Sequence, residues 1–140
     1  MSQMYRQIII DRFKNPQYRG ILENPDIAHG DENISCGDKL TFYIRIGPDQ
    51  KVEEVSYEGR GCTISLASAD ILAEALEEMT LEEIQKLDNQ FMLDLLGIQI
   101  TPTRTKCAIL GLHIVKAGAN LYSEYGRKGA ISALKEKNGT

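Results

Sequence analysis

The sequence predicts a mixed fold in which a hairpin of strands is followed by several amphipathic helices. Apolar residues alternate over 39–47 and 52–58, and they recur at three- and four-residue steps before and after these segments. Alternation is typical of a half-buried strand, whereas three- and four-residue steps are typical of one face of a helix. Because 140 residues is a common size for one domain, we expect a single domain over 1–140.

Composition and charge exclude several classes of function. Hydrophobic residues make up 42% of the chain and charged residues 26%, which is ordinary for a globular protein. The 20 acidic residues outnumber the 16 basic ones, and the net charge of −4 argues against a broad nucleic-acid-binding surface. Since no apolar run approaches the length of a bilayer span, we expect a cytoplasmic protein without a membrane partner.

The N-terminal region is predicted to form a helix and then an irregular connection. Helical spacing of apolar residues starts at Met4, and the predicted helix ends near Lys14, just before Asn15-Pro16. Residues 20–35 contain Pro, Asn, Asp and Gly without periodicity, which indicates an irregular surface segment. We expect His29 to be a solvated residue of this segment.

The two predicted strands are expected to pair as an antiparallel hairpin. The residues between them, Gly-Pro-Asp-Gln at 47–50, are those that turns prefer. We also expect a short third strand immediately before Cys62.

Four helices are predicted in the second half of the chain. Thr63 or Ser65 would cap the first of them, and Thr80 with Glu83 forms a capping-box pattern for the second. Gly126 and Gly129 should break the last helix, and Lys135 to Thr140 is expected to fray. The predicted helices are, in order, 64–79, a short helix after Thr80, 90–97, and a long helix from about Thr103 or Thr105 to Tyr125.

Three cysteines supply the candidate reactive groups. Cys36 lies in a Ser-Cys-Gly-Asp loop, and Cys62 and Cys107 each fall near the start of a predicted helix. Unpaired amides and the helix dipole stabilise a thiolate at that position, and a thiolate is both a metal ligand and a nucleophile. Asp38 lies two residues after Cys36, so on an extended strand both side chains face the same way. Three thiolates and one carboxylate form a plausible ligand set for zinc or iron.

A purely structural interpretation exists for each of these residues. Free cysteine is among the most buried residue types, so three scattered thiols are also explained as core residues. Their odd number excludes a disulfide framework. Asp38 is explained equally by a turn cap. His113 follows Cys107 by six residues, about 240° around a helix, so we expect it to face away and to be structural.

Three separate motifs each surround one cysteine: Ser-Cys-Gly-Asp at 35–38, Gly-Arg-Gly-Cys-Thr-Ile-Ser at 59–65, and Lys-Cys-Ala-Ile-Leu at 106–110. In this order they resemble the IscU/SufU/NifU-type scaffolds for iron–sulfur cluster assembly. The opening segment, from Met4 through Asn15-Pro16, is similar to that family as well. The resemblance therefore extends from Met4 to about Tyr125.

The resemblance implies an α+β fold, in which a small antiparallel β-sheet of about three strands is packed by helices. It also implies that Cys36, Cys62 and Cys107 converge at one exposed end as ligands and sulfur acceptors, with Asp38 as a labile fourth ligand. Family members receive persulfide sulfur from a cysteine desulfurase, combine it with iron, and pass a 2Fe-2S cluster to acceptor apo-proteins. Thiolates suit such a cluster, and they also suit zinc in the cluster-free protein.

Lys106 departs from the scaffold pattern, in which His usually precedes the third cysteine. The SufU-like branch tends to carry a basic residue there, and that branch often acts as a zinc-bound sulfur acceptor. An ammonium group has no lone pair for a metal, so Lys106 is expected to favour the Cys107 thiolate by its charge. The 45-residue gap between Cys62 and Cys107 instead resembles scaffolds without the SufU-type insertion.

A second departure concerns the chaperone-recognition motif Leu-Pro-Pro-Val-Lys of bacterial scaffolds. Ile-Thr-Pro-Thr-Arg stands at 100–104 instead, which argues against a dedicated heat-shock chaperone partner. We therefore interpret the chain as an assembly scaffold. A zinc-dependent sulfurtransferase is the main alternative, and a binding module with purely structural zinc is the third. The metal that is bound, the first cysteine to take sulfur, and homo-oligomer formation stay open at this point.

Overall fold

The computed structural model describes residues 2–131 and shows a three-stranded antiparallel sheet against which helices pack. This confirms the predicted α+β architecture. No helix within the described residues is long and apolar enough to cross a membrane. The predicted fraying of Lys135 to Thr140 lies outside the described residues. The elements are α1 (Ser2–Lys14), β1 (Ile27–Asn33), β2 (Asp38–Ile46), β3 (Val52–Arg60), α2 (Thr63–Leu76), α3 (Leu81–Gln85), α4 (Asn89–Leu96) and α5 (Pro102–Gly129).

The central strand β2 carries the apolar face of the sheet. Leu40, Phe42 and Ile44 alternate along it and are fully buried, as period-two spacing predicted. Helices α2 and α5 pack against the sheet and against each other. At Gly111 of α5 a side chain would meet the Phe42 ring, because a Cβ there would lie 3.0 Å from it. The absence of a side chain at Gly111 therefore lets α5 approach the sheet closely.

The first strand corrects two of the sequence predictions. Residues 27–33 form β1 rather than part of an irregular connection, and they pair in register with β2. His29 lies on this strand opposite Phe42 and is half-buried, so it is not a solvated loop residue. The prediction failed because β1 has only two apolar residues at its start, and its pairing depends on backbone hydrogen bonds to β2.

The third strand expected just before Cys62 is also wrong as a separate element. The segment before Cys62 is the end of β3, which continues without interruption to Arg60 and pairs with β2 along its length. The hairpin prediction itself is confirmed, although β3 extends further than its apolar alternation indicated. Gly59 and Arg60 at the end of β3 do not continue the alternation of apolar residues. Their strand conformation is set by the pairing with β2.

Several helix ends follow local capping rules, whereas the N-cap residues of α2 and α5 make no side-chain capping bond. The predicted capping box is present, since Glu83 N donates to Thr80 Oγ1 over 3.1 Å and Thr80 N donates to Glu83 Oε1 over 2.8 Å. Gly126 interrupts α5 with φ of 71°, as predicted. Helix α2, however, begins after Cys62, whose side chain makes no capping bond, so neither Thr63 nor Ser65 is the cap residue.

A buried carboxylate fastens the N-terminal helix to the rest of the fold. Asp70 of α2 is fully buried and forms an ion pair with Arg12 of α1, with 3.2 Å between Oδ2 and Nε. Its oxygens also accept hydrogen bonds from the backbone N–H groups of Gln17 and Tyr18 and from the Tyr57 hydroxyl. One side chain therefore holds α1, the segment after it, and β3 together.

We expect Asp70→Ala to lower the free energy of unfolding by about 3–5 kcal/mol, because it removes the buried one of the two carboxylates that pair with Arg12 and leaves the Tyr57 hydroxyl and two backbone N–H groups without their acceptor. Urea denaturation followed by circular dichroism would measure this loss. Lys86→Ala is the control, since it removes an exposed ion pair with Glu82 that contributes less than about 1 kcal/mol. Equal losses in the two variants would contradict this role of Asp70.

Candidate functional site

Four candidate residues reach one end of the sheet from three different parts of the chain. Cys36 lies in the exposed turn between β1 and β2, and Asp38 is the first residue of β2. Cys62 is the residue on which α2 begins, and Cys107 lies in the second turn of α5. The antiparallel pairing brings the start of β2 next to the end of β3, and so next to the start of α2. The fold therefore brings these four residues together, although the three cysteines are far apart in the sequence.

The ligand atoms of Cys36, Asp38 and Cys107 all lie within 4.8 Å of one another. Cys36 is exposed and Cys107 is buried, so this group extends from the surface into the protein. Cys62 is half-buried beside them, and its backbone N–H donates to Asp38 Oδ1 over 3.0 Å. The structure thus brings together all four residues that the sequence singled out.

Asp38 is held in place by Ser65, which the sequence suggested only as a possible helix cap. Ser65 Oγ donates to Asp38 Oδ1 over 3.1 Å and lies 3.7 Å from Cys62 Sγ. Both Ser65 and Asp38 are fully buried. Ser65 follows Cys62 by three residues, which is the spacing that places two side chains on one side of a helical turn, so the motif itself contained this information.

A glycine makes the close approach of these groups feasible. A Cβ at position 61 would lie 2.3 Å from Ser65 Oγ and 2.6 Å from Asp38 Oδ1, both far inside van der Waals contact. Any larger residue at Gly61 would therefore push Asp38 away from the helix that begins at Cys62.

The second carboxylate oxygen of Asp38 has an unusual environment. Among the described residues, Asp38 Oδ2 is buried and has no hydrogen-bond partner. A buried acceptor without a partner costs free energy, and a bound cation would remove that cost. Together with three thiols, this oxygen forms a donor set of the kind that zinc and iron accept in proteins. The residues present therefore fit a metal-containing group.

The thiols of Cys62 and Cys107 differ in acidity. Burial raises the pKa of Cys62, but hydrogen bonding with the Ser65 backbone N–H, with the Ser65 side chain and with the Cys107 thiol outweighs it, so the pKa is lowered. Burial raises the pKa of Cys107 well above its ordinary value, and the neighbouring Asp38, Cys62 and Cys36 side chains raise it further. The pair therefore combines one acidic thiol with one that retains its proton in the metal-free protein.

The expectation that a helix N-terminus favours a Cys107 thiolate is wrong, whereas the expected effect of the Lys106 charge stays a prediction. Helix α5 begins at Pro102, so Cys107 is the sixth helical residue and lies beyond the first turn, where the dipole acts. Lys106 is exposed while Cys107 is buried, and burial dominates the pKa of the Cys107 thiol. The same expectation holds for Cys62, which does stand at a helix start.

Arg104 is a further residue that the sequence analysis missed. It is exposed on the first turn of α5, and the Cys62 and then the Cys107 thiolate raise the pKa of its guanidinium by charge and hydrogen bonding. Arg104 precedes Cys107 by three residues, so helical spacing placed it on the same side as the thiol. A cation at this position stabilises anionic sulfur at the site.

His113 lies outside the site, as its helical position predicted. Its Nε2 atom is 3.0 Å from Asn89 Oδ1, at the contact between α5 and α4. Its interpretation as a structural residue agrees with this contact.

Sequence comparisons match this chain to a family model and to proteins of known name. A family model described as the NifU-like N-terminal domain matches residues 4–128. The zinc-dependent sulfurtransferase SufU of Bacillus subtilis is 31% identical over 135 residues, which covers 84% of this chain and 90% of SufU. The iron–sulfur cluster assembly scaffold protein IscU of Thermotoga maritima is 33% identical over 131 residues, which covers 82% of this chain and 92% of IscU.

Solved structures agree with the sequence comparisons. A crystal structure of a candidate iron–sulfur cluster assembly scaffold for the SUF system, from Fervidobacterium islandicum, superimposes with a TM-score of 0.70. It is 27% identical, and the match covers 84% of this chain and 98% of that one. The N-terminal part of a NifU-like protein from Brucella abortus shares the fold with a TM-score of 0.71.

The different environments of the thiols predict an order of alkylation in the metal-free, reduced protein. Iodoacetamide should modify the exposed Cys36 readily and Cys107 at least about tenfold more slowly, because Cys107 is buried and its thiol pKa is raised. Mass spectrometry of the labelled peptides would give the three rates. In urea the rates should become similar, and a native Cys107 that reacts as fast as Cys36 would contradict the prediction.

Proposed function

Because the chain belongs to the NifU-like N-terminal domain family, we propose that it is a scaffold on which iron–sulfur clusters are assembled and from which they are passed on. The observation that supports this most directly is that three thiols gather at Asp38, a buried carboxylate of which one oxygen has no hydrogen-bond partner among residues 2–131. The proposed partners are a cysteine desulfurase that supplies sulfur and apo-proteins that accept the 2Fe-2S cluster. The proposed compartment is the cytoplasm.

The exposure of Cys36 suits it to the uptake of sulfur. In this step the Cys36 thiolate attacks the outer sulfur of a persulfide on the donor's cysteine. A new S–S bond forms at Cys36, the donor's S–S bond breaks, and the donor cysteine leaves as a thiolate, so charge and atoms balance. Among the three thiols, only Cys36 is exposed enough for a second protein to reach it directly.

The remaining residues would hold the cargo. Cys62 and Cys107 provide thiolates deeper in the site, and Arg104 provides a positive charge beside them. Asp38 provides an oxygen among soft sulfur ligands, so its bond to the cargo is the most easily displaced. A labile fourth ligand allows release to an acceptor without the loss of a thiolate.

A zinc-dependent sulfurtransferase is the second candidate function. The same donor set suits zinc, and the similarity to Bacillus subtilis SufU, itself a zinc-dependent sulfurtransferase, favours it specifically. Lys106 in place of histidine also agrees with the SufU-like pattern. A purely structural zinc is the weaker proposal, because structural sites are closed and Cys36 is exposed.

We expect anaerobic protein supplied with iron and sulfide to bind a 2Fe-2S cluster and to develop visible charge-transfer absorption that oxygen bleaches. Metal and acid-labile sulfide analysis would establish the stoichiometry, and Cys62→Ser should reduce both together. Colourless protein that holds one zinc ion tightly and accepts sulfur from a desulfurase would instead establish the sulfurtransferase function.

Ser65→Ala should weaken metal retention about 10- to 100-fold, because it removes the hydroxyl that orients Asp38 and Cys62. Competition with a chelator, followed by zinc release, would measure the effect. Ser68→Ala is a matched control on the same helix, since the buried Ser68 hydroxyl has no partner within the part of the chain described. Equal retention by the two variants would show that Ser65 does not support the site.

A further inference from the structure

The cysteine end of this acidic protein carries cations that the proposed assembly chemistry does not use. The chain has a net charge of −4, yet Lys39 directly follows Asp38 and Arg60 lies two residues before Cys62. Both side chains are exposed. Of the residues described, none forms an ion pair with either Lys39 or Arg60. Two free positive charges therefore border the site on the side of the sheet.

The sheet register places these two cations directly opposite each other. Lys39 of β2 and Arg60 of β3 are cross-strand partners, so their side chains leave the same face of the sheet. Like charges in this arrangement destabilise a sheet. On its other side Lys39 is paired with Glu32 of β1, so one acid and two cations lie in a row across the sheet. This row has one positive charge in excess beside the candidate site, which can attract an anionic group from outside the chain.

A cleft lies between these cations on the face of the sheet. It has a volume of about 190 Å³ and is lined by Lys39, Thr41, Tyr43, Glu58, Gly59 and Arg60. Its single acid, Glu58, forms an ion pair with Arg19 over 2.7 Å. A Cβ at Gly59 would lie 2.0 Å from the carbonyl oxygen of Lys39, so glycine is required where β3 approaches β2. The cleft is thus lined by two cations, Lys39 and Arg60, by the hydroxyl groups of Thr41 and Tyr43, and by the backbone at Gly59.

We propose that this cleft receives an acidic segment of the protein that donates sulfur, the cysteine desulfurase of the proposed function on which this inference rests. A carboxylate between Lys39 and Arg60 would relieve the repulsion between them and find hydrogen-bond donors in the cleft. The position also suits delivery, because Cys36 lies three residues before Lys39 in the turn that leads into β2. A donor seated in the cleft is thereby brought to the exposed thiol.

The test compares sulfur transfer from the desulfurase with cluster formation from inorganic sulfide. The host's desulfurase, radiolabelled cysteine and the full chain are used for the first assay, and iron with sodium sulfide for the second. We expect Lys39→Glu and Arg60→Glu each to slow sulfur transfer about tenfold at low salt, and added salt to slow the wild type toward the variants. Cluster formation from sodium sulfide should be unchanged, because it needs no donor protein.

Lys51→Glu is the matched control, since it makes the same charge change just before β3 begins, at the opposite end of that strand. It should transfer sulfur within about twofold of the wild type, as expected for a charge outside the interface. Equal rates for wild type, Lys39→Glu and Arg60→Glu would overturn the docking site alone. Wild-type protein that takes no sulfur from the desulfurase would overturn the proposed function as well.

Two other results would also overturn the inference. Loss of cluster formation from sodium sulfide in Lys39→Glu or Arg60→Glu would mean that these cations act on the site itself. Normal sulfur uptake with slow cluster transfer to an apo-protein would assign the cleft to the acceptor rather than to the donor.

Discussion

The hydrogen bonds to Asp38 Oδ1 are the interactions on which the site depends. The carboxylate begins β2, and it accepts from the backbone of Cys62 and the hydroxyl of Ser65, which begin α2. It therefore joins the central strand to the helix that follows the last strand. Because Asp38 is fully buried, these bonds are shielded from water, and the loss of either donor would leave a buried charge less well satisfied.

The two oxygen atoms of the Asp38 carboxylate have different environments. Oδ1 accepts hydrogen bonds from the start of α2, whereas Oδ2 has no hydrogen-bond partner among the described residues, and the carboxylate lies within 4.8 Å of the Cys36 and Cys107 sulfur atoms. A side chain fixed through one oxygen presents the other at a defined position. In the proposed function, this arrangement provides a preorganised oxygen ligand for the cargo.

The charged and titratable groups inside the site differ from those at its rim. Within it, burial keeps Cys107 protonated in the metal-free protein while hydrogen bonds favour the thiolate of Cys62. Around it stand the exposed cations Arg104, Lys39 and Arg60. Anionic sulfur is thus favoured where the cargo would form, and acidic surfaces are attracted to the rim of an otherwise acidic protein.

Most helices and the hairpin could be predicted from the sequence, and Cys36, Asp38, Cys62 and Cys107 could be singled out as candidates, because periodicity, turn residues and the cysteine motifs are local properties. The sequence did not determine β1, whose residues adopt a strand through pairing with β2. The roles of Ser65 and Arg104 also came only from the structure, although both lie three residues from a cysteine. The acidity of the thiols depends on the tertiary fold. Burial raises the pKa of both Cys62 and Cys107, and only at Cys62 do hydrogen bonds outweigh it.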